Sequence, residues 1–143
     1  MPGETRILIV DDDMAIRTLL FTVLQRRGLA VDTAKHGGEA VEKLGSCRYA
    51  LLLLDLMMPV MSGWQVLEHV KALDPNARPA VILLTAGTEP RDFDPNIVAG
   101  TIRKPFDMEV LFGAVLGCIA AVGAREQLSG CPVAESDSRW HKT

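Results

Sequence analysis

The sequence predicts an α/β fold in which one parallel sheet carries helices on both faces. Two observations support this prediction. Short apolar runs alternate with stretches of helical periodicity, and polar residues follow several of these runs directly. Alternating strands and helices produce parallel strands joined by right-handed crossovers. A length of 143 residues suits a single domain with its own core.

The first half of the chain contains three predicted strands and two predicted helices. Two of the strands are continuous apolar runs, as expected for strands that are buried on both faces. In chain order the elements are a strand at 7–10, a helix with an apolar stripe from Ile16 to Leu24, a strand at 30–34, a helix at 38–44 and a strand at 51–54.

The second half is predicted to add two strands and two helices. Ser62 can cap the first of these helices, which carries apolar residues inward and ends near Pro75. The remaining elements are a strand at 80–84, a shorter strand at 100–103 and a final helix from about 107 to about 123.

Polar residues follow four of the predicted strands. Three aspartates at 11–13, then Asp55, Thr85 and Lys104 each come directly after a strand. Because ligands bind at the carboxyl ends of the strands in such sheets, these side chains are expected to converge on one rim. Singly, each would be an ordinary turn residue or solvated charge; together they predict a site.

Clustered carboxylates repel one another and favour a hard divalent cation with oxygen ligands, such as Mg²⁺. Asp55 is the best candidate nucleophile, because it stands alone at the end of the central apolar strand. Lys104 can supply a mobile positive charge and Thr85 a hydroxyl donor, which phosphoryl transfer requires. Asp13 has an alternative role as the cap of the following helix.

Four motifs, in order and at these intervals, resemble the receiver domain of bacterial two-component response regulators. The resemblance covers residues 5 to about 122 and implies a flavodoxin-like, doubly wound sheet of five strands in the order 2-1-3-4-5. The motifs are Ile7-Leu8-Ile9-Val10-Asp11-Asp12-Asp13, Leu53-Leu54-Asp55-Leu56-Met57-Met58-Pro59 with Met61-Ser62-Gly63, Leu83-Leu84-Thr85-Ala86, and Lys104-Pro105-Phe106.

The resemblance implies that Asp55 accepts a phosphoryl group from a histidine kinase or a phosphotransfer protein. Thr85 and Lys104 would hold the phosphoryl oxygens, and the Lys104–Pro105 peptide bond would be cis. Such a domain catalyses only its own phosphorylation and dephosphorylation, so we do not predict an enzyme acting on other substrates. It would signal by conformational change and protein contact.

The resemblance also implies a Mg²⁺ site. Asp12 would bind the ion directly, Asp11 mainly through water, and Asp55 through its carboxylate. The main-chain carbonyl of Met57 would be a further ligand. Asp13, one place beyond the acidic pair, is not expected to be a ligand.

Two departures from the family pattern concern output. Many members carry an aromatic residue three positions before the lysine, and here that position is Thr101. The segment from Thr85 to Lys104 is also short and contains Pro90 and Pro95, which break helices. We therefore expect the fourth helix to be short or missing.

Three other interpretations compete with a stand-alone, phosphorylated receiver. A haloacid-dehalogenase-like phosphatase could use Asp11–Asp13 as its nucleophile motif, but such enzymes place an acidic pair after the lysine, where only the scattered Asp107 and Glu109 follow closely, and Asp55 is left unexplained. A receiver that never gains phosphate and acts as a constitutive interaction module is disfavoured by the complete acidic set. Alternatively, the chain is the receiver part of a longer regulator or hybrid kinase. In either receiver interpretation, residues 1–123 form the domain and 124–143 a polar, largely disordered tail.

The final helix is unusual because no residue from 110 to 123 carries a charged side chain. One apolar stripe should pack on the sheet, which leaves Phe112 and Leu116 on a second stripe. Exposed apolar patches mark interfaces, so these two residues are expected to contact a second copy or a partner protein. The alternative is that the tail folds back, with Leu128, Val133 or Trp140 covering the stripe.

Composition restricts location and partners. A net charge of −3 offers no basic surface for nucleic acid, so direct nucleic-acid binding is not expected. No early segment resembles a secretion signal, and the longest apolar run is too short to span a membrane. We therefore expect a cytoplasmic protein without membrane attachment.

Overall fold

The structure, a computed structural model, describes residues 6–58, 61–87 and 94–125, with side chains as far as residue 121. A short 3-10 turn, Pro75–Ala77, follows the third helix. The elements are β1 (Arg6–Val10), α1 (Met14–Arg26), β2 (Ala30–Ala34), α2 (Gly37–Ser46), β3 (Leu51–Asp55), α3 (Gly63–Ala72), β4 (Ala80–Thr85), β5 (Val98–Arg103) and α4 (Met108–Arg125).

The five strands form one parallel sheet in the order β2-β1-β3-β4-β5, which confirms the predicted class and strand order. All residues of β1 and β3 are buried, as their apolar runs predicted. In the register, Asp55 lies beside Leu84, and Thr85 lies beside Arg103. The carboxyl ends of the strands therefore share one rim.

Side chains that alternate along each strand feed two separate cores. Leu8 and Val10 point toward α2 and α3, whereas Ile7 and Ile9 point toward α1 and α4. A helix layer on each face removes the central strands from water, which is the main favourable contribution to folding. The doubly wound architecture follows from this two-sided burial.

The connection between β4 and β5 agrees with the prediction of a short or missing fourth helix. Residues 86–87 and 94–97 contain a bend and a turn but no helix. Pro90 lies outside the described residues. Thr101 is exposed on β5, at the position where many family members carry the aromatic residue.

The final helix packs much as its apolar stripe predicted. Leu111 and Val115 are fully buried against the sheet, and Leu116 is 47% exposed on the second stripe. Phe112 differs from the prediction, because it is half-buried and the Arg27 guanidinium lies 4.1 Å from its ring centroid. The helix continues to Arg125, and the rest of the predicted tail lies outside the described residues.

A buried ion pair that the sequence analysis did not identify lies near the amino end of β1. The Arg6 guanidinium donates to both carboxylate oxygens of Asp32 at 3.0 Å, and the Tyr49 hydroxyl donates to the same carboxylate at 2.7 Å. All three residues are buried.

Among the residues that the structure describes, none of the helices has both the length and the apolar character that a membrane-spanning helix needs.

Candidate functional site

Three aspartates converge where β1 and β3 end. Carboxylate oxygens of Asp11, Asp12 and Asp55 all lie within 4.8 Å of one another. Asp11 is fully buried and Asp55 is 3% exposed, while Asp12 is open to solvent. This oxygen-rich arrangement, with one open side, suits a hard divalent cation that retains some of its water.

Lys104 brings positive charge to the same cluster from the end of β5. Its Nζ lies 3.0 Å from Asp11 Oδ2 and 3.4 Å from Asp55 Oδ2. Its backbone N–H donates to the carbonyl of Thr85 at 2.7 Å, which fixes the start of the loop against β4. One ammonium compensates one of three carboxylates, so the cluster keeps an excess of negative charge.

Burial and the neighbouring negative charge both shift the pKa of Asp55. Burial, followed by the charge of Asp11, raises the pKa of Asp55 to about 7, although the Met57 N–H and Lys104 oppose the shift. Burial would lower the pKa of Lys104, but its contacts with Asp11 and Asp55 outweigh burial and raise it. The Asp55 carboxyl is therefore close to protonation at neutral pH, and added positive charge would keep it ionised.

The turns after β1 and β3 orient the two buried carboxylates. The Asp13 N–H donates to Asp11 Oδ1 at 2.9 Å, and the Met57 N–H donates to Asp55 Oδ1 at 3.1 Å. Asp13 itself caps α1, because its side chain accepts from the N–H groups of Ala15 and Ile16. Its predicted role as a cap is confirmed, and it lies outside the carboxylate cluster.

Thr85 ends β4 at the same rim and is 8% exposed. The Leu56 N–H donates to the Leu84 carbonyl at 3.2 Å, which holds the loop after Asp55 against β4. The Lys104–Pro105 peptide bond is cis, as expected. All the predicted acidic, hydroxyl and ammonium residues thus lie at the strand ends, while Met57 exposes its side chain to solvent.

Gly63 and Arg17 support the site, and the sequence analysis assigned neither of them a structural role. A Cβ at Gly63 would lie 2.5 Å from the Asp55 carbonyl oxygen and 2.6 Å from the Leu56 Cα, so α3 begins directly against the end of β3. Arg17 donates to the Asp11 carbonyl at 2.8 Å. An arginine near the amino end of a helix opposes the helix dipole, which was the available signal for Arg17.

Comparison with known proteins agrees with this geometry. Residues 7–116 match the response regulator receiver domain family. The chain is 42% identical over 107 residues to the transcriptional regulatory protein ResD of Bacillus subtilis, covering 73% of this chain and 43% of ResD. It is 35% identical over 113 residues to sporulation initiation phosphotransferase F of the same organism, covering 77% and 90% of the two chains.

A crystal structure also resembles this chain: the response regulator TrrA of Thermotoga maritima in complex with Mg²⁺-BeF. The TM-score is 0.71 and the identity 36%, covering 80% of this chain and 98% of TrrA. The chain belongs to the receiver domain family of two-component response regulators. It spans 43%, 48% and 59% of the length of three longer curated regulators that it matches.

Proposed function

We propose that Asp55 accepts a phosphoryl group from the phosphohistidine of a histidine kinase or phosphotransfer protein. The observation that carries this proposal is the position of the buried Asp55 carboxylate, which lies beside two further aspartates and 3.4 Å from the Lys104 ammonium. Family membership makes the domain a participant in phosphorelay signalling. We choose Asp55 because it is buried and because it is the one acidic residue of β3.

In the proposed transfer, an Asp55 carboxylate oxygen forms a bond to phosphorus while the phosphorus–nitrogen bond of the donor breaks. The bonding pair leaves with the imidazole nitrogen, and the donor ring returns to its unphosphorylated form. Such transfers depend on positioning and on compensation of the phosphoryl charge. Lys104 would contact one phosphoryl oxygen, and the Thr85 hydroxyl would donate to another.

The acidic cluster fits a Mg²⁺ ion, because its three carboxylates exceed the positive charge that Lys104 supplies. Asp12 and Asp55 would hold the ion directly, Asp11 through water, and the Met57 carbonyl would complete the protein ligands. The bound ion supplies the positive charge that lets a carboxylate and a phosphate approach each other. The complex of TrrA with Mg²⁺-BeF is consistent with this assignment.

Beryllofluoride, which imitates a phosphoryl group on a carboxylate, tests this site. Titrate the protein with Mg²⁺ and beryllofluoride while recording amide NMR spectra. In the wild type, Mg²⁺ alone should shift signals around residues 55–57, and signals around 85–87 should shift only when beryllofluoride is added as well. Asp55→Asn should show no shifts that depend on beryllofluoride. Asp13→Asn, a matched change at the helix cap, should respond like the wild type, and equal responses of all three would contradict the assignment.

We further propose that α4 contacts a second copy of the chain or a partner protein. Leu116 is 47% exposed and Val110 is 61% exposed on a helix without charged side chains from 110 to 121. Phe112 adds less exposed apolar surface to this face than the helical pattern predicted, because the Arg27 guanidinium covers its ring. Light scattering of the wild type and Leu116→Glu tests the second-copy version: a dimer that the variant dissociates supports it, and a monomeric wild type excludes it.

The longer relatives keep open the alternative that this domain works within a larger regulator or hybrid kinase. The phosphatase alternative has no support from the family assignment. A cytoplasmic location, and signalling without direct contact to nucleic acid, stay predictions from the sequence.

A further inference from the structure

The loop after Thr85 is covered by an arginine from the neighbouring strand. Gly87 has a positive φ of +91°, and a Cβ at this position would meet the Arg103 Nε and lie 2.7 Å from its Cζ. The Arg103 guanidinium therefore occupies the space that a side chain at position 87 would take. The positive φ favours glycine at this position, and the absence of a side chain there lets the guanidinium approach the backbone closely.

Arg103 belongs to the rim of the acidic site by register. It lies beside Thr85 across the β4–β5 pair, so its side chain leaves the sheet on the same face as that of Thr85. Lys104, the next residue, contacts the carboxylates of Asp11 and Asp55. Two consecutive cations thus lie near the strand end that carries Thr85: Lys104 within the acidic cluster and Arg103 against the backbone of Gly87.

The two cations differ in their partners. Lys104 is engaged by two carboxylates, whereas Arg103 is exposed and forms no ion pair with any residue that the structure describes. A guanidinium offers five donors in a fixed fork that matches phosphate oxygens. An unengaged guanidinium beside a phosphoryl-acceptor site is available to an incoming anion.

We propose that Arg103 attracts anionic phosphodonors to Asp55 and so raises the rate of phosphorylation. This inference rests on the function proposed above. The acidic cluster repels a donor whose phosphoryl group carries two negative charges, and a cation at the rim offsets part of that repulsion before any contact forms. Gly87 supports this arrangement, because it has no side chain in the space that the Arg103 guanidinium occupies.

The test uses acetyl phosphate as the donor, with saturating Mg²⁺, and follows the fraction of phosphorylated chain by intact mass. Arg103→Gln should lower the phosphorylation rate by about three- to tenfold at low ionic strength, and the deficit should shrink as salt is added. Arg103→Lys should keep most of the rate, because it keeps the charge. Arg26→Gln, an equal loss of charge on an exposed arginine near the carboxyl end of α1, should behave like the wild type.

Each outcome bears on the proposal. Equal rates for Arg103→Gln and Arg26→Gln would overturn it while leaving the acceptor role of Asp55 intact. A deficit that is the same in Arg103→Lys and Arg103→Gln and insensitive to salt would show that Arg103 only packs over the loop. A wild type that gains no phosphoryl group would overturn both this inference and the proposed function. If Arg103→Gln does not fold, Arg103→Met, which keeps the aliphatic stem without the charge, takes its place in the same comparison.

Discussion

The first strand has buried charge at both of its ends, and the two ends handle that charge in opposite ways. At the amino end, the Arg6 guanidinium contacts the Asp32 carboxylate, and the Tyr49 hydroxyl donates a further hydrogen bond to that carboxylate. At the carboxyl end, Asp11 shares a single ammonium, that of Lys104, with Asp55, and Asp12 adds a third negative charge.

We infer that the charged pair at the amino end maintains the fold, whereas the charged residues at the carboxyl end serve the proposed phosphoryl transfer. Among the described residues, Arg6 and Asp32 carry opposite charges in direct contact, so this pair has no excess charge. The acidic cluster, in contrast, is incompletely compensated, and burial with the charge of Asp11 raises the pKa of Asp55 to about 7. A group with such a shifted pKa in an open rim is a candidate for function, whereas a balanced buried pair is not.

The largest expected effect comes from breaking the balanced pair. Asp32→Ala leaves the Arg6 guanidinium buried without its carboxylate and should lower the free energy of unfolding by about 3–5 kcal/mol. Urea denaturation measures the change. The double variant Arg6→Met with Asp32→Leu is the control, because it removes both charges and should recover most of the loss. A small effect of Asp32→Ala alone would contradict the conclusion that the Arg6–Asp32 pair stabilises the fold.

A smaller effect is expected at the acidic end from Gly63→Ala. The added methyl group meets backbone atoms of Asp55 and Leu56, which cannot move aside as a flexible side chain could. We expect a loss of about 1–3 kcal/mol, the usual cost of overpacking. Gly45→Ala is the matched helical control, because nothing lies within 4 Å of its Cβ, and it should be neutral or slightly stabilising. Equal effects of the two changes would contradict the close approach of α3.

A still smaller and opposite effect is expected from Asp55→Asn. Because the pKa of Asp55 rises from 3.8 to about 7 on folding, the folded chain binds a proton that the unfolded chain has lost. The resulting stabilisation is complete below about pH 4 and is lost as the pH rises through about 7.

Asp55→Asn removes this penalty, so without divalent cations it should stabilise the fold by about 1–2 kcal/mol at pH 8 and by less at pH 5. Urea denaturation at the two pH values checks both the sign and the trend. Asp13→Asn is the control, because Asp13 lies outside the cluster and asparagine also caps helices; it should not be stabilised at pH 8. A variant less stable than the wild type at pH 8 would contradict the interpretation of the acidic end as under-compensated.

The predictable parts of the molecule are those that depend on local patterns. The buried strands, the sheet order and the convergence of Asp11, Asp55 and Lys104 follow from apolar runs, alternation and the rule for strand ends. The partnership of Arg6 with Asp32 could not be predicted in this way, since the two residues are 26 positions apart and pair only after β1 and β2 align.

The same reasoning explains two smaller differences. Phe112 looked exposed in the helical pattern, but the cation that covers it comes from the end of α1. The steric demand at Gly63 depends on the approach of α3 to the end of β3, which no local pattern records. Sequence periodicity indicates which face of an element is buried, but not which individual side chains of two distant segments meet.

We propose that the acidic cluster, whose negative charge Lys104 compensates only in part, receives a phosphoryl group on Asp55. Incubation with acetyl phosphate and Mg²⁺, followed by intact mass analysis, tests this proposal. We expect the wild type and Asp13→Asn each to gain the mass of one phosphoryl group, EDTA to prevent the gain, and Asp55→Asn to gain none. An Asp55→Asn chain that still gained a phosphoryl group at the wild-type rate would contradict the claim.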